Sequence, residues 1–451
     1  MTVDSPCRLA EEPEIGGRIS RPTVRAWYAL AVVILATLFG FVDRQILILV
    51  TEPLKHEMHL TDAQIGLLQG LGPGVLASVG TIVLGWLADR TARHVVLAIC
   101  VLLWSAATAA IGLAHSFPEL ILATAAIGLG EAAIGPVFYS MVPDLFPDRS
   151  RLLANLIFYG AITIGTGFGV SLSGSVIQWA QGHRAELPHV IASLSAWRIA
   201  FLLVALPGLP ISLAIMMIGP VRRVVETTLI QPACNLKDHL RRNATALAGL
   251  CTAMGFYGIA LYSIYAWTAP YIIRALGAGP VEVGYGTGAA FSVGPLLGVV
   301  LAGVLGKRLS VRFGLMTPVR LYQTSMWVAL IPLLLLLRID RPWQAYVLLG
   351  LVAAATTMGT ALTPTLLQDL APAALRGRII AIVGLAYTSF SSLAPILTGA
   401  LSDVLSSHPR GLLLAILAVS APALLIAFGV LRLVERPLRR TIKAYSPSIE
   451  S

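Results

Sequence analysis

Long apolar runs alternate with short polar segments along the chain. The apolar runs are about 20 residues long, which is the length an α-helix needs to cross a bilayer. We therefore predict about twelve membrane-spanning helices, called spans 1 to 12 in chain order. Their predicted limits are 27–50, 64–88, 95–115, 118–141, 152–180, 198–219, 244–273, 282–306, 314–337, 343–366, 379–404 and 411–434.

The composition supports an integral membrane protein. Of the 451 residues, 57% are hydrophobic and 12% are charged, whereas a soluble domain averages about 25% charged residues. The net charge of +10 does not indicate a nucleic-acid partner, because the basic residues fall in short loops between spans. The four cysteines show no paired spacing, so we expect no disulfide framework, no metal site and no cofactor.

The loop charges predict the orientation and the domain limits. With the N-terminus inside, the cytoplasmic segments hold roughly 24 Lys and Arg against roughly 7 outside, so both termini should be cytoplasmic. We predict an N-terminal tail (1–26), a six-helix half (27–219), a linker (220–243), a second six-helix half (244–434) and a C-terminal tail (435–451). We expect a monomer among membrane lipids, in the plasma (bacterial inner) membrane.

The two predicted halves show a weak internal repeat. Residues 85–90 after span 2 match 303–308 after span 8, and residues 144–151 after span 4 match 369–378 after span 10. Two parallel repeats in register are typical of transporters that rock two halves around a site near the middle of the membrane.

Three ionisable residues lie deep in the apolar runs of the first half. Asp43 and Arg44 are adjacent in span 1 and Glu131 is in span 4. Adjacent helical side chains point about 100° apart, so Asp43 and Arg44 cannot pair well with each other. Charges are costly in hydrocarbon, so we expect all three to line one polar cavity. Alternatively, Arg44 extends to the nearer membrane surface and Asp43 caps a loop. Glu131 can carry a proton in one state and release it in another, and the alternative for Glu131 is permanent structural pairing with Arg44.

A short motif follows span 2. Gly85, Asp89, Arg90 and Arg93 resemble the loop signature of the major facilitator superfamily between spans 2 and 3, with Ala92 and His94 as departures. In that superfamily the Asp and Arg act as a latch between the halves, so the resemblance implies a gating loop here. The alternative is a basic cytoplasmic loop with an ordinary helix cap.

Several stretches together resemble the spinster family of lipid transporters. They are 43–44, 62–68, 85–93, 128–132, 144–149 and 197–201. The resemblance implies transport of an amphipathic lipid, such as a lysophospholipid or sphingosine-1-phosphate, coupled to protons through Asp43 and Glu131, with Arg44 as headgroup ligand or charge partner. Thr124 stands where the superfamily usually has an Arg, which would stabilise the Glu131 carboxylate and act as a candidate headgroup ligand. Either Arg44 takes both of these roles or the coupling scheme differs.

The second half has no acid deep within its predicted spans. Span 7 is rich in aromatic residues, and Tyr257, Tyr262 and Tyr265 are candidates to line the cavity, although packing is the more usual role for any one of them.

A proton-coupled lipid transporter is therefore the leading hypothesis. An organic-anion symporter or a multidrug exporter is the alternative within transport. An intramembrane enzyme is disfavoured because the eight histidines lie outside or at the ends of the predicted spans and no nucleophile motif occurs. A binding-only receptor fits the two-half organisation less well.

Overall fold

The computed structural model describes residues 22–74, 80, 83–84, 87, 90–132, 134–220, 236–372 and 375–445. These residues form helices and connecting turns, without a strand among them. The spans comprise the helices Val24–Leu49 (span 1), Asp62–Gln69 (the start of span 2), Arg93–Leu113 (3), Phe117–Glu131 and Ile134–Leu145 (4), Asp148–Gly182 (5), Ala196–Ala205 and Gly208–Ile218 (6), Ala244–Leu276 (7), Pro280–Phe313 (8), Thr317–Leu335 (9), Pro342–Thr360 and Thr363–Asp369 (10), Arg376–Val404 (11) and Gly411–Leu433 (12).

Shorter helices connect or flank these spans. They are Thr51–Met58, His189–Ala192, Leu236–Arg242 and Glu435–Tyr445, with 3₁₀ turns at Arg184–Glu186, Gly314–Met316 and Leu336–Arg338. Ten segments of the described chain are long and apolar enough to cross a membrane, and one of them, Pro280–Arg338, contains both span 8 and span 9. The limits of the two halves remain a prediction.

Spans 4, 6 and 10 are each interrupted next to a proline. Proline has no backbone N–H to donate to the carbonyl four residues earlier, so it weakens or breaks a helix there. Pro136 follows the break after Glu131, Pro207 lies in the break after Ala205, and Pro364 follows the break after Thr360. Spans 4 and 10, the fourth helix of each predicted half, are both interrupted shortly before such a proline.

The two halves meet along two helix pairs, span 2 with span 11 and span 5 with span 8. The helices approach closely because glycines form the contact. A Cβ atom on Gly66 of span 2 would overlap the carbonyl group of Pro395 in span 11, and a Cβ on Gly174 of span 5 would lie 3.2 Å from the Cα of Gly284 in span 8.

The helix bundle has a proximal end and a distal end. The proximal end carries both described termini. There Arg25 donates to the carbonyl of Ile218 at 2.6 Å, and Thr441 donates to the side chain of Asn243 at 3.0 Å. The distal end carries the loop between spans 1 and 2 and the loop between spans 11 and 12.

Candidate functional site

A cavity of about 260 Å³ lies between the two halves. Spans 1, 2 and 4 form its first wall, and spans 7 and 11 form the opposite wall. The lining side chains are Phe41, Asp43, Arg44, Gln45, Leu47, Ile48, Leu68, Gln69, Pro73, Ile111, Thr124, Ile127, Glu131, Thr166, Tyr262, Tyr265, Ala266, Tyr387 and Pro395. The three ionisable residues expected to share one cavity are all among them.

Arg44 of span 1 and Glu131 of span 4 form an ion pair on the first wall of this cavity. An Nη2–H of Arg44 donates to Oε2 of Glu131, although the two residues are separated by 87 positions in the chain. The Glu131 side chain is 9% exposed and the Arg44 side chain is 46% exposed, so the cation faces the open part of the cavity. Asp43 is only 3% exposed. Span 1 therefore turns its two adjacent charges to different surroundings, because neighbouring helical residues point about 100° apart.

Thr124 lies about two helical turns before Glu131, on the same face of span 4. It is buried, and its hydroxyl donates to the carbonyl of Ile121 at 3.0 Å within the same helix. Its side chain fills the space left by the absent Cβ of Gly72 in span 2. Arg44 is thus the basic side chain that lines this cavity in the described part of the chain.

The tyrosines of span 7 divide into two groups. Tyr262 and Tyr265 line the cavity together with Tyr387 of span 11, whose ring centroid lies 6.5 Å from that of Tyr262. Tyr257 does not line it, which corrects the expectation from the sequence. Its hydroxyl donates to the carbonyl of Thr356 at 2.8 Å, and its ring packs 4.7 Å from that of Tyr322. Tyr257 is therefore turned into the core of the second half.

The predicted gating loop is described only in part. Gly85 and Asp89 lie outside the described residues, and Arg90 is exposed at the proximal end. Arg93 donates to the carboxylate of Asp144 and to the carbonyl of Ser140 at 2.7 Å. Arg93 thus ties the start of span 3 to the end of span 4 within the first half, and a latch between the halves stays a prediction.

A second polar cluster, the distal network, joins the halves at the distal end. Its members are Glu52, Lys55, Asp62, Arg274, Ser402 and Asp403. Asp62 begins span 2 and is fixed there by the capping box of Thr61 and Gln64. Its carboxylate accepts from Lys55 at 2.6 Å, from Arg274 at 2.8 and 2.9 Å, and from Ser402 at 2.7 Å.

The network bonds span 2 of the first half to spans 7 and 11 of the second half. Arg274 also donates twice to Oε1 of Glu52, at 2.7 and 3.0 Å. The carboxylate of Asp403 accepts from the backbone N–H groups of Asp62 and Ala63, both at 2.9 Å. These bonds hold the distal ends of the two halves together.

The electrostatics of the network keep Asp62 ionised. Burial alone would raise the pKa of Asp62, but hydrogen bonds from Arg274, Lys55 and Ser402 outweigh it and lower the pKa to about 2. The Asp62 side chain is 2% exposed and that of Arg274 is 30% exposed. The pair is partly shielded from water and is correspondingly less screened.

Reasoning from the sequence assigned no role to Lys55, Arg274 or Asp403. Each lies near a span end, where a charge needs no special explanation. The available signal was the scarcity of basic residues in the predicted outer loops, which makes Lys55 and Arg274 unusual. Gln69 of the cavity was also missed, because its chain neighbours are apolar or glycine.

Comparison with known proteins places this geometry in a family context. The sequence matches the model of the Major Facilitator Superfamily over residues 33–315 and 260–448. An MFS-type efflux pump of Mycolicibacterium smegmatis is 26% identical over 64% of this chain and 64% of the pump. The protein spinster homolog 3 of Mus musculus is 28% identical over 53% of this chain and 47% of its own length.

A lipid transporter is also among the relatives. A sphingosine-1-phosphate transporter of Mus musculus is 30% identical over 34% of this chain and 28% of its own length. The chain thus spans between a quarter and two thirds of these three relatives. The resemblance to the spinster family that the motifs predicted is confirmed by these relatives.

One solved structure resembles the fold over most of both chains. It is a bacterial homolog of the human lysosomal transporter spinster in an inward-facing and occupied conformation. It superimposes with a TM-score of 0.78, at 20% identity, over 93% of this chain and 98% of that chain. The predicted fold of helical membrane spans in two pseudo-symmetric halves is confirmed by this match.

Proposed function

Because the chain belongs to the Major Facilitator Superfamily, we propose that it is a secondary active transporter that moves an amphipathic lipid by alternating access, coupled to protons. The lipid is a lysophospholipid or a molecule resembling sphingosine-1-phosphate. The protein itself is a multi-pass integral membrane protein of the plasma or inner membrane. The observation that carries the proposal is the Arg44–Glu131 ion pair beside buried Asp43, in a cavity between two halves.

The charges of the cavity support proton coupling. Among the described lining residues, Asp43 and Glu131 are acidic and Arg44 is basic, so the fully ionised cavity carries one excess negative charge. An uncompensated charge is costly in a membrane interior. One proton on either carboxylate removes this cost, which makes Asp43 and Glu131 the proton-carrying residues of the proposal.

The ion pair also suggests how a proton and a substrate would be linked. While Glu131 is ionised, its carboxylate is paired with the guanidinium of Arg44. Protonation of Glu131 weakens that pairing and leaves Arg44 available to bind an anionic headgroup, such as a phosphate. Arg44 is the more exposed partner, so a headgroup in the cavity reaches it directly.

The size and lining of the cavity fit the headgroup of a lipid. Its volume of about 260 Å³ is just below the range of about 300–1,000 Å³ typical of pockets for whole drug-sized ligands. An acyl chain therefore extends between the spans, beside the aromatic wall of Tyr262, Tyr265 and Tyr387. One relative is named for transport of sphingosine-1-phosphate, which combines a charged headgroup with one long chain.

The distal network provides one of the two closures that alternating access needs. It bonds the halves together at the distal end, which is the outer side if both termini are cytoplasmic as the loop charges predict. The loop containing Gly85, Asp89, Arg90 and Arg93 is the proposed closure at the proximal end.

Transport by purified protein in liposomes tests the proposal. With an imposed pH gradient, a radiolabelled lysophospholipid should accumulate, and other lysophospholipids should compete with it while small organic acids should not. Accumulation that is equal with and without the gradient would remove proton coupling. Competition by organic acids alone would favour an organic-anion symporter.

A multidrug exporter is the second candidate. It is favoured by the relative described as an MFS-type efflux pump and by the aromatic wall of the cavity, which suits flat cationic drugs. Ethidium efflux from the same liposomes, inhibited by lysophospholipids only weakly, would support this candidate over the first.

A further inference from the structure

Gln69 has an unusual position at the wall of the cavity. It ends the first helix of span 2, next to Gly70, where span 2 meets the backbone of Ser392 in span 11. Its amide Nε2 donates to the hydroxyl of Thr51 at 3.2 Å. No donor among the described residues reaches its amide oxygen Oε1, although that oxygen is buried.

The orientation of this amide is determined by its neighbour. The hydroxyl of Thr51 donates its one hydrogen to the carbonyl of Leu47 at 3.1 Å. Thr51 can therefore only accept from Gln69, so the NH₂ group must face Thr51 and the oxygen must face away from it. Thr51 is fully buried, which leaves no solvent to loosen the arrangement.

Two other oxygens of the cavity also have no partner, Oδ1 of Asp43 and Oε1 of Glu131. Both belong to carboxyl groups, and a bound proton can satisfy each of them. The amide oxygen of Gln69 takes up no proton at physiological pH. Gln69 lines the cavity, so a molecule that enters the cavity is a source of the missing donor, and buried acceptors are normally hydrogen-bonded.

We propose that Gln69 is a specificity-determining residue that accepts a hydrogen bond from the substrate headgroup. The cavity then selects headgroups that carry N–H or O–H donors beside the anionic group, such as a primary ammonium. A quaternary ammonium carries methyl groups in place of N–H donors and leaves the oxygen of Gln69 unpartnered. This inference rests on the proposed function, because it concerns the headgroup of an amphipathic lipid in the same cavity.

Equilibrium binding to the purified full chain in lipid nanodiscs tests the inference. The two probes are lysophosphatidylethanolamine and lysophosphatidylcholine with the same oleoyl chain, which differ only in the three N-methyl groups. The wild-type protein should bind the ethanolamine probe about tenfold more tightly, because only that probe satisfies the buried acceptor.

Two variants test the role of the Gln69 oxygen in different ways. Gln69→Leu deletes it, and Thr51→Val deletes the group that orients it. Both variants should reduce the ratio of the two dissociation constants to about twofold or less, mainly by weakening the binding of the ethanolamine probe. Gln323→Leu is the matched control, because Gln323 is a buried glutamine of span 9 that does not line the cavity. It should keep the wild-type ratio.

The outcomes separate this inference from the proposed function. If wild-type protein binds both probes equally, or if Gln69→Leu and Thr51→Val retain the wild-type ratio, Gln69 does not determine specificity while lipid binding stands. If neither probe binds wild-type protein, the proposed lipid function fails and this inference fails with it.

Discussion

Asp43 and Arg44 show how a single helical step separates two chemical roles. Asp43 is almost fully buried, whereas Arg44 pairs with Glu131 of span 4 on the same wall of the cavity. Both carboxyl groups keep one oxygen without a partner. In the proposed mechanism one of these carboxyl groups carries the coupled proton, and the guanidinium of Arg44 responds to the change in charge.

Glu131→Gln should abolish proton-driven accumulation while leaving downhill exchange of substrate measurable. Glutamine preserves the shape of the side chain but carries no proton. For one coupled proton, each pH unit across the membrane supplies about 1.4 kcal/mol, or about tenfold accumulation. The measurement is uptake of labelled lysophospholipid at several imposed pH gradients. Uphill accumulation equal to wild type would contradict a coupling role for Glu131.

The carboxylate of Asp62 differs from the proposed proton carriers Asp43 and Glu131, because its hydrogen bonds keep it ionised. Its pKa is lowered to about 2 from an ordinary value of 3.8 in the closed distal network. Its stabilisation of the closed network is therefore complete above about pH 4 and is lost only as the pH falls through about 2. Between pH 5 and 8, Asp62 does not titrate.

Asp62→Asn should open the distal end without moving the pH dependence of transport. Losing the charge weakens hydrogen bonds to charged groups worth about 1–3 kcal/mol in total, which is a shift of roughly tenfold in the closed-to-open ratio. Spin labels at exposed His59 and Ser407 report the distance across the distal end. Asp340→Asn, an exposed acid with 81% side-chain exposure at the same end, serves as control. An unchanged distance distribution in Asp62→Asn would argue against the distal network as a closure.

At the scale of elements, the contact between span 2 and span 11 depends on absent side chains. Gly66, Gly70 and Gly74 of span 2 face the backbone or side chains of Ser392 and Pro395. Glycine costs helix stability, but it allows two backbones to approach closely. In the proposed alternating-access cycle, the same surface separates and closes again.

Gly66→Ala should disfavour the closed distal end. The new Cβ meets the backbone of Pro395 and Ile396, which cannot rotate away as a side chain can. Such overpacking costs about 1–3 kcal/mol. The matched control is Gly160→Ala in span 5, because a Cβ at Gly160 meets nothing within 4 Å. The same spin-label pair measures the result. Equal distance distributions for the two variants would show that the contact between span 2 and span 11 tolerates a methyl group.

At the scale of the whole molecule, a group of polar contacts joins the two halves at the distal end. Glu52 and Asp62 of the first half are bonded to Arg274 of the second half, and Asp403 binds the backbone at the start of span 2. Alternating access requires that these contacts break as a group when the halves rotate.

A reversible crosslink at the distal end should stop transport. Ser402 donates to Asp62 at 2.7 Å across the two halves, so Asp62→Cys with Ser402→Cys brings two thiols within reach of a disulfide. In a background without the native cysteines, oxidation should reduce turnover by at least about tenfold relative to the reduced form, and reduction should restore it.

The control for this crosslink lies within one half. Ser263 and Thr398 hydrogen-bond at 2.7 Å in the second half, so Ser263→Cys with Thr398→Cys forms a disulfide that does not join the halves. Turnover by the oxidised control pair should match that of its reduced form. Full activity of the oxidised Asp62–Ser402 pair would show that the distal end need not open.

The sequence alone determined the membrane class, the approximate spans and the cluster of Asp43, Arg44 and Glu131. These conclusions depend on local properties, namely the length of apolar runs and the cost of charge in hydrocarbon. The family resemblance likewise rests on short contiguous motifs. Such signals need no knowledge of how distant helices are rotated against each other.

Only the tertiary structure decided which faces of the spans meet. It turned Tyr257 into the core while Tyr262 and Tyr265 line the cavity, and it paired Arg274 with Asp62 across 212 positions. A span buried among other helices and a span facing lipid are both apolar, so the hydrophobic pattern does not specify the rotation of a helix. The distal network and the position of Gln69 follow from that rotation.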